Sequence, residues 1–321
     1  RPDSHLTIAQ GIKRLGVPIV ALLAILLFGL FAMSWLIDRG AVRQAVEAQI
    51  RAATGLDLVV NGTTEISVFP ASYVRLHQVS LKGAAGDALT VDDLTANLQL
   101  LPLLTQRFQI ADLTLTSPRF NVTRNAKGDS NWDPIVQTLA RTLKPSADSP
   151  VSFSEIRIKD GLLTYRDEAQ HVDETVDGID LSLAWPSISR SFAATGQFGW
   201  RGERVDGSIS VADFVSAISG ERSGFKARFS SAPLKFAFDG AIANRTSLML
   251  EGTVTADSPA LRNAMRWAGQ RPPGTSGFGR FALKARANVV GESVALTNVN
   301  VELDGNAAEG VLTYDNNGRQ T

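Results

Sequence analysis

The stretch 108–134, FQIADLTLTSPRFNVTRNAKGDSNWDP, decides the fold. Phe108 and Ile110 alternate as a half-buried strand does, and then the phase slips. The next apolar residue is Leu113, three positions on, followed by Leu115. Two adjacent residues facing one side of a strand are what a β-bulge supplies, and a bulge bends the strand and raises its twist. The same pattern, apolar-x-polar-apolar-x-(apolar or small), recurs at 76–81 (LHQVSL), 91–96 (VDDLTA), 153–158 (FSEIRI), 176–181 (VDGIDL) and 296–301 (LTNVNV). The third position of each is Gln78, Asp93, Asp112, Glu155, Gly178 or Asn298. Recurrence of the slip predicts a long sheet that curls.

Outward from this stretch, Leu56 onward reads as short alternating runs bounded by Gly, Asp, Asn and Pro, enough for a dozen or more strands. An acidic residue followed by glycine precedes several of them: Asp160-Gly161, Asp206-Gly207, Asp239-Gly240, Glu251-Gly252 and Glu309-Gly310. These pairs read as turns. The echo of DGLLTYRD (160–167) in EGVLTYDN (309–316) is irregularly spaced, which indicates a loose β-repeat and not a strict solenoid. Helical spacing appears at Ala41–Ala53, stopped by Gly55. It returns after Asp133-Pro134, through Ile135, Val136, Leu139 and Leu143, and after Ser258-Pro259, through Leu261, Met265 and Trp267; a weaker helix covers Val211–Ile218. The best linker is 144–150, KPSADSP.

The 321 residues, 44% hydrophobic, suffice for one large or two ordinary domains. With 32 basic and 32 acidic side chains and no basic block, the chain carries no electrostatic footprint for nucleic acid. No cysteine is present, which excludes disulfides, thiolate metal sites and a Cys nucleophile. The start at Arg1 and the stop at Thr321, just after a strand-like run, are read as a fragment truncated at its C-terminal end. Residues 17–37, VPIVALLAILLFGLFAMSWLI, run 21 positions without a charge. At 1.5 Å per residue they reach about 31 Å, the thickness of a bilayer core. They read as an uncleaved anchor with Trp35 at an interface. Lys13 and Arg14 precede the segment while Arg39, Arg43 and Arg51 follow it, so the charge count leaves the topology open.

A sheet that is apolar on one side needs a cover, and few helices are available. A second sheet, closure into a barrel, or an apolar ligand would each serve. From periodicity alone a sandwich with a protein-only core is the commonest solution, and the slips favour a curled sheet. Catalytic chemistry is thin. Of the three histidines, His5 precedes the anchor and His77 falls at the slip of its strand, facing outward. His171 sits among Asp167, Glu168, Asp173 and Glu174, a solvated hairpin more than a metal site. No G-x-S-x-G, Walker A, H-E-x-x-H or G-x-G-x-x-G motif occurs, and no cofactor or metal is expected.

Taken in order, the apolar segment, the short helix ending in Thr54-Gly55-Leu56, the strand NGTTEISVFPASYVRLHQVSL with Phe69-Pro70, Leu101-Pro102-Leu103-Leu104 between strands, and Gly128-x-x-Asn131-Trp132 resemble the AsmA-like family of Gram-negative envelope proteins. The resemblance covers residues 1–145 well and the later half more loosely. It implies an inner-membrane, single-pass protein with its bulk in the periplasm, similar to bridge-like lipid-transfer proteins. It also implies a non-enzymatic role in moving phospholipid toward the outer membrane. The expected fold is mainly β: a single transmembrane helix, then an elongated, curled antiparallel sheet forming a repeating β-groove with a few short helices. The expected layout is a cytoplasmic tail (1–16), the membrane helix (17–37), a connecting helix (38–55), a first groove unit (56–145) and a second groove region (151–321). The groove face would be led by Leu76, Leu81, Leu94, Leu98, Ile110, Leu113, Leu115, Phe120 and Val122, chosen by alternation on either side of each slip. Expected partners are phospholipids, the inner membrane through 17–37, and outer-membrane or periplasmic assembly proteins. The competing readings are a non-catalytic scaffold with a filled sandwich core and, more distantly, a hydrolase using the acidic cluster at His171.

Overall fold

A computed structural model describes residues 39–67, 71–84, 86–99, 109–142, 155–184, 191–244, 247–291 and 293–315. The apolar segment 17–37, Phe69-Pro70, the Leu101–Leu104 run and the linker 144–150 lie outside the described residues, as does Phe153 of one slip. Helix α1 (Arg39–Thr54) comes first. Its Val42, Val46 and Ile50 recur at i, i+4 and are all buried, and an Arg43–Glu47 ion pair at 2.7 Å braces the opposite side. Gly55, at φ +73, ends it by donating its N–H to the Arg51 carbonyl.

Sixteen strands then form one curled sheet. In chain order they are β1 (Leu58–Val60), β2 (Thr64–Ser67), β3 (Tyr73–Gly83), β4 (Gly86–Leu98), β5 (Ile110–Thr116), β6 (Arg119–Arg124), β7 (Glu155–Asp167) and β8 (Val172–Ala184). They continue as β9 (Phe192–Trp200), β10 (Glu203–Val211), β11 (Ser223–Ser230), β12 (Lys235–Asn244), β13 (Leu248–Ser258), β14 (Phe281–Val290), β15 (Ser293–Leu303) and β16 (Asn306–Tyr314). The spatial order is β1-β3-β4-β5-β7 and then sequential to β16, with β2 beside β3 and β6 continuing β5 between β4 and β7. All of these strands share one hydrogen-bonded sheet, and among the described residues there is no second sheet to make a sandwich.

The sheet is mixed, which corrects the antiparallel expectation: β5 and β6 both run parallel to β7. Parallel neighbours cannot be joined by a hairpin and need a crossover of a dozen or more residues, usually helical. Helix α2 (Asp133–Thr142) lies in that crossover. The other helices are single elements between strands. Helix α3 (Phe214–Ile218) starts at Asp213, whose carboxylate accepts the Ser216 N–H, so Val211 ends β10 and does not begin the helix. Helix α4 (Leu261–Trp267) has Ala260 at its N-cap; Ser258 is buried in β13 and donates its hydroxyl to the Pro233 carbonyl instead.

The slips are real. Opposite Asn97 and Leu98, β5 spends Asp112, Ala111 and Ile110, so Ala111 is the extra residue of a bulge. At 176–181 the register against β9 shifts between Asp177 and Asp180, with Gly178 at φ +51. At 296–301 it shifts between Leu296 and Val299, with Asn298 at φ +49. The slips at 76–81 and 91–96 face each other: Leu76 pairs Leu94 and Val79 pairs Val91, so both strands change phase together and their register holds until it shifts between Leu81 and Lys82. Both ends of each slip stay buried while Gln78, between them at φ +52, faces outward.

The acidic-glycine pairs are not turns. Each lies inside a strand: β7, β10, β12, β13 or β16. Gly240 and Gly252 sit directly opposite one another, and a Cβ added to Gly252 would overlap the Asp239 carbonyl oxygen and lie 2.6 Å from the Gly240 Cα. Glycine inside a strand here permits close backbone approach at a bend, which any side chain would block. Gly252→Ala is therefore expected to cost about 3 kcal/mol or more in thermal or urea unfolding. Gly310→Ala, whose Cβ meets nothing within 4 Å, should be near neutral.

Candidate functional site

Because directly opposed residues point to the same face, the pairings trace rows across the sheet. One row runs Val74, Ala96, Leu113, Ile156, Leu183 and Ala194 from β3 to β9. It continues through Ile209, Ala227, Phe238, Val254 and Ala285 to β14. That is one apolar residue from each of eleven strands. Ten steps of about 4.8 Å make the row about 48 Å long. The adjacent row on the other face reads Arg75, Thr95, Thr114, Arg157, Ser182 and Thr195. It goes on through Ser208, Arg228, Ala237, Thr255 and Lys284. Along these two rows the faces keep their characters from β3 to β14.

Cover for the apolar face is uneven. Over β3–β5, α1 closes it: Val42, Val46 and Ile50 pack with Leu76, Leu98 and Ile110 in one buried cluster. Beside this cluster lies a cavity of about 300 Å³, walled by Leu81, Leu94 and Leu115 of the sheet and by Trp132, Ile135 and Leu139 at α2. Ser80 is the single residue with a polar side-chain oxygen among those lining it. Its β7–β8 wall is Ile156, Ile158 and Leu183. From Leu183 onward the apolar row mixes half-buried residues, Ala194, Ile209 and Val254, with buried ones, Ala227, Phe238 and Ala285; Ala227 and Phe238 form a further cluster with Ala287. Among the described residues, two short helices touch the far part. Phe214 of α3 stacks on Phe192 at 4.9 Å, and Trp267 of α4 meets Trp200 edge-on at 4.8 Å.

Of the nine residues expected to lead the groove, Leu81, Leu94, Leu113, Leu115 and Phe120 line the cavity. Leu76, Leu98 and Ile110 lie beneath α1, packed into the closed cluster. Val122 on β6 is half-buried opposite Tyr165 and is not part of the cavity wall. Residues that sequence reasoning passed over include Val79 and Val91, the other ends of the two facing slips, and the whole row beyond Ile156. Alternation within β8–β13 carried that signal.

The end of the opening stretch now has a cause. Buried Asn131 accepts the Thr123 N–H (2.8 Å) and donates to the Asn121 carbonyl (2.9 Å), and Trp132 donates its indole N–H to the same carbonyl (2.8 Å). Asp133 accepts the Ser130 N–H, half of a capping box, and Pro134 follows. These bonds tie the start of α2 to β6 and aim Ile135 and Leu139 into the cavity.

Titratable groups with displaced pKa values are structural. Arg157, then the Ser182 hydroxyl, hold the Glu155 carboxyl below the ordinary range; Arg201, then the Trp200 indole, do the same for Glu174. Arg286 and Arg222 lower Glu251. Each shift favours the ionised form, the opposite of what a general acid needs, and none of these groups lines the cavity. His77 bonds Asp93 and approaches Glu65 at 3.4 Å on the polar face. His171 sits in the exposed β7–β8 turn. Among the described residues no group of three or more His, Asp or Glu side chains is placed to hold a metal ion.

A large mixed sheet with one continuous apolar face defines the class of fold, and comparison with known proteins supplies a family. The model of the AsmA family matches residues 11–310, and the chain belongs to that family. It is similar to Protein AsmA of Escherichia coli (strain K12), with 23% identity over 216 residues. The match covers 63% of this chain and 34% of that protein, so the chain spans about a third of the relative's length.

Asp167 supplies a pH test of the fold beside the site. Its carboxylate, 2% exposed, accepts the Gln170 N–H at 3.0 Å, the Tyr165 hydroxyl at 3.2 Å and the Ala169 N–H at 2.9 Å, with Arg124 at 3.9 Å. The Gln170 bond leads in holding its pKa down. A depressed folded pKa adds stability above the unfolded value of about 3.9, lost as pH falls through the folded one. Wild type should therefore exceed Asp167→Asn in denaturant midpoint at pH 7, with the gap narrowing steadily below about pH 4.

Proposed function

We propose that the apolar face is a groove that binds phospholipid acyl chains and lets them travel along the sheet. In this reading the protein is held in the inner membrane by residues 17–37 with the sheet in the periplasm, and it supports outer-membrane biogenesis. The observation that carries the reading is the eleven-strand apolar row, closed by α1 and α2 at one end and, beyond Ile156, made of half-buried residues (Leu183, Ala194, Ile209, Val254) interspersed with buried ones (Ala227, Phe238, Ala285). A two-chain phospholipid exposes on the order of 30 methylenes, each costing about 0.8 kcal/mol in water, so bare transit costs roughly 20–25 kcal/mol. A continuous apolar surface offsets that cost at every point along the path, while headgroups stay in water at the rim. Such a task needs shape and hydrophobicity and no nucleophile. Family membership supports an envelope role of this kind.

Leu183 is the place to test it, because it both walls the cavity and continues the row. It is only half-buried, so a long charged side chain can be accommodated without emptying the closed core. The full chain, purified in an amphipol, is expected to retain phospholipid in native mass spectrometry with lipid extraction. Leu183→Arg should lose most of it while keeping its circular dichroism spectrum. Equal loading of the folded variant and the wild type would sink the groove. A folded wild type without lipid would favour a scaffold whose apolar face is covered by a partner protein.

A further inference from the structure

Eight large apolar residues are well exposed among the described residues, and three of them are neighbours: Leu248 and Met249 at the start of β13 and Val290 at the end of β14. Met249 and Val290 are directly paired, and each is 42% exposed. Met249 and Val290 depart from the division into an apolar and a polar face that the rows from β3 to β14 follow. On β13, Leu248 and Leu250 belong to the apolar face, while Met249 belongs to the other. Farther along that second face the same strands carry Glu251 opposite Asn288 and Thr253 opposite Arg286. The β13–β14 end is thus apolar on both faces, and polarity returns one ladder step inward.

That step forms a charged belt. Glu251 bonds Arg286 at 3.2 Å and pairs with Arg222 at 3.1 Å, two cations around one anion. A protein partner lying on one face would need apolar residues on that face alone. An end that is apolar on both faces and backed by arginines fits a surrounding apolar medium with an anionic boundary, which is the interface of a phospholipid bilayer. The β7–β8 end differs: its turn carries Glu168, Gln170 and His171.

We propose that the β13–β14 end is a membrane wedge, with Leu248, Met249 and Val290 entering the bilayer interface and Arg222 and Arg286 meeting lipid phosphates. The wedge does not depend on acyl-chain passage, since a scaffold with a filled groove could hold a membrane the same way.

The absence of cysteine makes single labels clean. The full chain, reconstituted in phosphatidylethanolamine–phosphatidylglycerol vesicles, would carry an environment-sensitive fluorophore at Met249→Cys, Val290→Cys or, as a control, exposed Thr253→Cys. Nitroxide-bearing lipid is placed first in the host vesicles and then in added protein-free vesicles. The labels at positions 249 and 290 are expected to lose about half their emission or more in one arrangement, with the label at 253 largely spared. Adding Met249→Asp should cut quenching of the Val290→Cys label about tenfold. No quenching in either arrangement, equal quenching at position 253, or undiminished quenching with Met249→Asp would overturn the wedge.

Discussion

The constraint on which this molecule depends is that one face of the sheet must stay apolar through every strand. Side chains alternate with period two, so a single uncompensated slip would exchange the faces of everything beyond it. The chain contains several slips and loses no face. On β3 and β4 the slips coincide, Leu76 with Leu94 and Val79 with Val91, and cancel. On β7 the register against β8 shifts on one side of Gly161 and shifts back on the other. Bulges therefore curve the sheet without turning it inside out.

Cover follows from connectivity. The parallel joint at β7 requires a long crossover, and its helix α2 comes to lie over the apolar face beside α1, held by Asn131 and Trp132. Between β8 and β14 successive strands are all antiparallel. Of their connections, those between β10 and β11 and between β13 and β14 carry the helices α3 and α4. The closed and the open parts of the face are consequences of the same rule about how neighbouring strands can be joined.

Much of this was legible in the sequence, for definite reasons. A bulge leaves a phase error in the hydrophobic pattern, which is why Ala111, Gly178 and Asn298 could be located before any pairing was known. The helix after Asp133-Pro134 was readable because a capping residue and a proline have few other uses together. The acidic-glycine pairs misled, since Asp-Gly has the same composition in a turn and in a bent strand, and only register separates the two. The parallel joint was invisible because an alternating strand reads alike whichever way its neighbour runs. Leu76, Leu98 and Ile110 have the right face for the groove, but what covers them is α1, whose docking position no local pattern encodes. The row beyond Ile156 went unnamed because the family motifs concentrate in residues 1–145.

The central claim, that lipid occupies the apolar face along its length, is tested most directly by site-specific photocrosslinking in the native membrane. A benzophenone amino acid would be placed singly at Leu183, Ile209 and Val254 on the apolar face, and at Thr195, Ser208 and Thr255 on the polar one. The account predicts phospholipid adducts at the three apolar positions and none at the polar three. Protein adducts without lipid at the apolar positions, or lipid adducts at both faces alike, would contradict it.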